Sequence, residues 1–256
     1  MSLKIQLQYI KRRDEFVSQA YKIANSFLYE LAVRNGVVYT PVNRVEFEQG
    51  KPRRLLTSTD QVRFPRIDID PEVAQLYSFA ETALANLPLA FLSFYQILEY
   101  FFPKAIRSMT IRGVRRELAD PRFNGSNGDI IKIIAIAESG ARSSEADQIS
   151  ALLEHSVRED RINEFLAGPD KQRHFGKQGP IKGVGSINPE NPKESISSQV
   201  ASRVYLLRNR IVHAKDDPKY ANSKVLLPRS REAALLWPDV ELVRLLAQEV
   251  ITDSQV

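Results

Sequence analysis

Arg208, Asn209 and His213 are the residues of this chain whose types and spacing could act on a phosphate: a fixed cation, an amide and an imidazole within six positions. An imidazole titrates near neutral pH and can take or give a proton. A planar guanidinium can make two charge-assisted bonds to phosphate oxygens, and an Asn amide can orient either partner. All three lie in the stretch from Ser195 to Lys215, where Val200, Val204, Leu207 and Ile211 recur at spacings of four, three and four. That is the apolar stripe of a helix packed on a core. Tyr205, Asn209 and His213 fall four apart on a second face, and Arg208 sits about a quarter turn away with a side chain long enough to reach it.

Other chemistries find little to work with. The chain has no Cys, which removes disulfides, thiolate zinc sites and thiol nucleophiles together and suits a reducing compartment. Three His in total, with no His-x-x-x-His or Glu-x-x-His pairing, point to a site that needs neither metal nor cofactor. Gly183-Val184-Gly185-Ser186 lacks the preceding strand and the Gly-Lys-Ser/Thr ending that give a phosphate cradle its meaning. Lys177 and Lys182 in the surrounding loop could still touch phosphates, and His174 is expected on the surface of that loop.

The run Arg208-Asn209-Arg210-Ile211-Val212-His213, an Arg, a polar residue, three more and a His, resembles the signature of HEPN domains. These are all-helical modules of prokaryotic defence and toxin proteins. Asn follows the Arg as that family favours, the run closes an amphipathic helix, and neither His155 nor His174 has an Arg at the same offset. The resemblance covers about 70 to 253. It implies a metal-independent endoribonuclease in which the ribose 2′-OH attacks the adjacent phosphate, His213 moves a proton, Arg208 offsets the phosphorane charge and Asn209 orients. One His does not obviously supply both acid and base. The family resolves this by pairing two motif helices across a homodimer, and many members act with an antitoxin or another regulatory protein. In the family a polar residue of an early core helix can lie near the Arg and His, which makes Glu99 a supporting candidate. Tyr205, on the face of Asn209 and His213, is a second. Two other readings stay open: a noncatalytic HEPN-like module that binds RNA or protein, with Arg208 paired to Glu99 or Asp216, and an unrelated helical scaffold.

Hydrophobic content of 43% with 26% charged residues is that of an ordinary globular protein, so disorder and fibrous folds are excluded. A net charge of +5 favours an anionic partner, with RNA first in line. The first residues carry too short and polar an apolar run for a signal peptide, and no later run approaches the ~18 residues of a membrane span, so the expected location is the cytoplasm and no membrane partner is expected.

The fold that would position the motif is mainly α, a HEPN-like helical bundle over 70–256 behind a small α+β unit over 1–69. In that first unit, Lys4 to Ile10 reads as a strand, Glu15 to Val33 as a helix, and Val37 to Tyr39 with Arg44 to Phe47 as a strand pair. Beyond Pro71, helices are predicted over Glu72 to Asn86 and Pro88 to Phe102, each with Pro near its first turn. The second is apolar on almost every side, which places it centrally, with Tyr95, Gln96, Glu99 and Tyr100 as its polar exceptions. Thr110 to Gly128 reads as a turn-rich insertion, Asp129 to Glu138 as either a helix or a buried strand, and Ser143 to Arg158 as a helix that Ile162 to Leu166 extends. Gly168 to Asn191 is predicted to be loop, and Ser230 to Thr252 a helix divided at Pro238.

Overall fold

Proline and side-chain caps start the first helices of the main unit. Asp70 accepts a hydrogen bond from the Glu72 N–H at 2.8 Å and Asn86 accepts one from the Leu89 N–H at 3.3 Å. Pro71 and Pro88 follow within the first turn, where a missing N–H has no intrahelical partner to lose. The computed structural model describes residues 6, 12–17, 19–20, 23–24, 27, 69–212 and 226–255. It divides into two units, Met1–Asp60 and Gln61–Val256.

In the first unit the described residues 13–17, 19–20, 23–24 and 27 are helical, within or adjoining the helix expected over Glu15 to Val33. Apart from Gln6, the strands expected at 4–10, 37–39 and 44–47 lie outside the described residues.

The second unit is helical. Helix α1 (Pro71–Thr82) runs into a 3-10 turn at Ala83–Ala85 and then α2 (Leu87–Leu118). The first half of α2 buries Phe91, Phe94, Tyr95, Ile97 and Leu98 almost completely, which makes it the centre of the core. Contrary to expectation, α2 does not stop at Phe102. It continues through Pro103, which has no N–H to offer the Glu99 carbonyl, to Leu118.

What sustains this second half is α3 (Asn127–Ala141), which packs back along it. Gly113 lies against Ile136, and Gly140 lies against Thr110 and Ile106. The expected insertion is therefore half of a helical hairpin, its turn confined to 119–126. The isoleucine run takes the helical of its two readings, with Ser126 as cap, accepting from the Asp129 N–H. Asp129, Ile133, Ile136 and Gly140 are the better-covered positions, while Ile130 and Ile131 stay 47% and 63% exposed.

Ser144 and Asp147 form a capping box that starts α4 (Glu145–Ser156). Extended backbone at Val157 and Arg158 then makes α5 (Glu159–Leu166) a separate helix rather than a continuation. The expected loop contains a short helix, α6 (Pro169–Phe175). Its exit is tight, because a Cβ at Gly179 would strike the His174 carbonyl. The motif-bearing helix is α7 (Ile196–Val212). A 3-10 turn at Ala233–Leu235 precedes α8 (Trp237–Asp253), and Pro238 stands in the first turn of α8, so it opens that helix instead of dividing it. Around α2 pack α1, α4 and α8, and α4 in turn packs on α7. Among the described residues there is no strand, and no helix is long and apolar enough to cross a membrane.

His174, expected on the surface, is buried. Its Nε2 lies 2.6 Å from Asp239 Oδ2, and a carboxylate that only accepts requires the imidazole to donate there. Arg203 of α7 donates to both oxygens of the same carboxylate, at 2.7 and 3.3 Å, and to the Gly185 carbonyl at 2.7 Å. Burial alone would raise the Asp239 pKa, but the bonds from His174 and the charge of Arg203 more than reverse this, so it is held below the ordinary aspartate value. Arg203 and Asp239 are each 2% exposed, so either charge without the other would be stranded.

Asp239→Ala is expected to cost about 3–5 kcal/mol in urea unfolding, the penalty for breaking a buried ion pair. Because the folded-state pKa of Asp239 is lowered, its contribution to wild-type stability is present above about pH 3.9 and is lost as pH falls below it. A variant as stable as wild type near neutral pH would contradict this account.

Candidate functional site

Two arginines of the motif, Arg208 and Arg210, are held by different partners. Arg210 turns away from the candidate site: it makes a two-pronged bond to Glu232 at 2.9 and 2.8 Å and donates to the Lys182 carbonyl. Glu232 also accepts from the Lys182 N–H at 2.8 Å. The second Arg of the motif thus pins the loop before α7 and the segment after it.

Arg208 faces the opposite way, into a cluster built by three helices. Its Nε–H approaches Glu145 Oε1 at 3.2 Å, its Nη1–H donates to Asn209 Oδ1 at 3.2 Å, and its Nη2 stands 3.7 Å from Glu99 Oε1. The last distance is an ion pair without a hydrogen bond. Tyr95 completes the group by donating its hydroxyl to Glu145 Oε1 at 2.6 Å, with the Arg208 guanidinium 5.9 Å from its ring centre. Tyr95 and Glu99 are four residues apart on α2 and so share a face. Glu145 is the first residue of α4, directly after the Ser144 cap, so the start of that helix sets where its carboxylate stands.

The environment separates the roles of these groups. Burial, the bond to Glu145 and the nearby carboxylates push the Tyr95 phenol far above its usual value, so it remains a donor at all physiological pH. Burial is also the main reason that the Glu99 carboxyl is raised; Glu145 adds to the rise and Arg208 opposes it. The Arg208 side chain is 20% exposed and that of Glu99 38%, so solvent reaches the edge of the cluster where the bond between them is loosest. The arrangement offers a fixed cation with spare donors, a proton-bearing phenol and a carboxyl raised above its ordinary value.

Of the residues singled out from sequence, Arg208, Asn209 and Glu99 come together. Tyr205 is half-buried with its ring packed on the apolar core, and it makes no hydrogen bond to the cluster among the described residues. His213 and Asp216 lie outside the described residues. Glu145 was not a sequence candidate: its only signal was the Ser144-x-x-Asp147 cap, which marks a helix start but not a partner fifty positions earlier. Among the described residues no group of three or more His, Cys, Asp or Glu could hold a metal ion. No family model, curated protein or solved structure matches the chain.

Carboxyl titration followed by NMR should show Glu99 moving further up in Arg208→Ala and down in Glu145→Gln. Folded Glu99 binds its proton more tightly than the unfolded chain does, so its contribution to stability is complete below about pH 4.3 and is lost as pH rises through the folded value. Arg208→Ala should steepen that loss. Identical titrations in all three proteins would remove the electrostatic coupling from the site.

Proposed function

We propose that this protein is a metal-independent endoribonuclease of the HEPN type, acting in a toxin or antiviral-defence setting. The observation that supports it is the placement of Arg208, partly buried beside Asn209 at the end of α7, with an Nη2 edge that makes no hydrogen bond to Glu99 at 3.7 Å. A phosphate entering there meets a guanidinium oriented by Glu145 and Asn209, so little reorganisation is needed as charge builds in the phosphorane. His213, four residues beyond Asn209, takes or returns the proton of the 2′-OH or the 5′-oxygen. Glu99, with its raised carboxyl, offers a second proton-transfer group in the same subunit. A homodimer that sets two motif helices face to face would offer a second His213 instead, and an antitoxin or other regulatory protein would hold the activity in check.

One observation favours a noncatalytic module. The charge of Arg208 is already matched by Glu145 at 3.2 Å and Glu99 at 3.7 Å, as a purely structural arginine would be. Cleavage and stability separate the two. In EDTA, wild type should cut a mixed RNA pool, while Arg208→Ala and His213→Ala should each lose about 100-fold or more in rate, the cost of removing one transition-state donor or proton carrier. Wild type that binds RNA but never cuts, with Arg208→Ala losing only thermal stability, would establish the structural role.

A further inference from the structure

The second half of α2 carries a concentration of charge that neither the core nor the Arg208 cluster uses. Between Pro103 and Leu118 stand five cations, Lys104, Arg107, Arg112, Arg115 and Arg116, against one acid, Glu117. That acid is taken, since Lys132 of α3 lies 3.2 Å from it. All five cations are exposed. The face of α2 that meets α3 runs through Ile106, Thr110, Gly113 and Glu117. At about 100° per residue, Lys104, Arg112 and Arg115 project from the side of the helix turned away from that face, while Arg107 and Arg116 stand on its two opposite flanks.

Little neutralises them. Arg107, Arg115 and Arg116 make no ion pair among the described residues. Arg112 donates to His155 Nδ1 at 3.0 Å, and Lys104 to the Ser254 carbonyl at 3.3 Å, both bonds to uncharged acceptors that leave the positive charge in place. Arg122, by contrast, is closed on Asp120 through 3.0 and 2.8 Å bonds and adds nothing. A favourable helix dipole accounts for cations in the last turn, Arg115 and Arg116, but not for Lys104, Arg107 or Arg112 further back. The five span about 18 Å along a straight helix at 1.5 Å per residue.

We propose that this face of α2 is the surface on which an RNA substrate lays its sugar-phosphate backbone. The choice of RNA among polyanions rests on the ribonuclease reading of the Arg208 cluster. Four of the five cations are Arg, whose flat forks bind phosphate oxygens in pairs. Their spread along about 18 Å and around the outer half of a rigid helix suits a flexible, regularly charged polymer better than a single small anion. Contacts of this kind hold the chain in place without reading its sequence, so binding is tolerant of base identity and strongly dependent on salt.

The test uses a fluorescein-labelled 2′-O-methyl oligouridylate, which lacks the nucleophile and cannot be cut, with the full-length protein. Affinity is measured by anisotropy across a salt series for wild type, for the triple variant Arg107→Gln, Arg115→Gln, Arg116→Gln, and for a control of equal charge change, Arg173→Gln, Lys193→Gln, Arg231→Gln, at exposed cations elsewhere. Circular dichroism confirms that each is folded. Each lost phosphate contact lowers the slope of log affinity against log salt by about 0.7 for a single strand, so the triple variant should lose about 2 units of slope while the control keeps the wild-type line. Equal slopes in wild type and triple variant would overturn the proposal even if wild type cuts RNA. Failure of wild type to bind the probe, with binding to vesicles rich in anionic lipid in its place, would overturn it as well. Wild type that shows the predicted slopes yet cuts no RNA would support the docking surface and overturn only the nuclease reading.

Discussion

One carboxylate ties together the segments on which the position of the motif helix depends. Asp239 at the start of α8 accepts from His174 on α6 and from Arg203 on α7, while Arg203 reaches on to the carbonyl of Gly185. Arg203 precedes Arg208 by five residues on the same helix, so whatever fixes Arg203 along α7 also sets where Arg208 points. The arrangement is costly to break because both charges are almost wholly removed from water. Glu232 repeats the device about two turns further along α7 through Arg210 and the backbone of Lys182. Two acidic residues near the C-terminal helix thereby anchor, by polar bonds, a loop rich in Gly and Pro whose Ile181 and Ile187 also enter the core.

The Arg208 cluster follows a different electrostatic logic. Arg208 faces two carboxylates, Glu145 and Glu99, at unequal distances and with unequal cover. Glu145 is occupied twice, by a hydrogen bond from Tyr95 and by the guanidinium. Glu99 is left with an incomplete partner, and burial together with the like charge of Glu145 raises its carboxyl in spite of the cation nearby. The two carboxylates thus meet the same cation in different ways, one bonded twice and the other only loosely paired. Burial first, and then its bond to Glu145, which exists only while the phenol can donate, keep the proton on Tyr95.

The α2–α3 hairpin shows how composition misleads when periodicity is read one element at a time. Residues 110–118 contain charges, a glycine and few apolar positions, which reads as insertion, yet they are helical because α3 lies along them. Gly113 and Gly140 allow that approach: a methyl group at Gly140 would collide with the Thr110 hydroxyl. The isoleucine run on α3 spends only part of its apolar surface on this contact, leaving Ile131 and Ile134 63% and 50% exposed. Continuous apolar character therefore reflected a helix apolar around most of its circumference rather than a buried strand.

Local chemistry made much of the helical unit legible from sequence. Pro71, Pro88 and the Ser-x-x-Asp start near Ser143 marked helix starts because orphan N–H groups need acceptors and proline belongs in a first turn, whereas Asn86, read as a helix end, is the cap of α2. Val200, Val204, Leu207 and Ile211 marked the buried stripe of α7, and the same periodicity put Arg208 and Asn209 at its end. What sequence could not supply were relationships between residues far apart in the chain. Pro103 looked like a stop, yet packing on α3 carried the helix through it. His174 looked exposed because its neighbours are loop residues, yet an aspartate 65 positions later drew it inside. Glu145 carried no mark of its place beside Arg208, since a helix cap is decided within four residues and an ion pair by the path of the whole chain. Secondary structure was readable because it depends on near neighbours; the partners of each charge were decided only when tertiary packing removed water from between them.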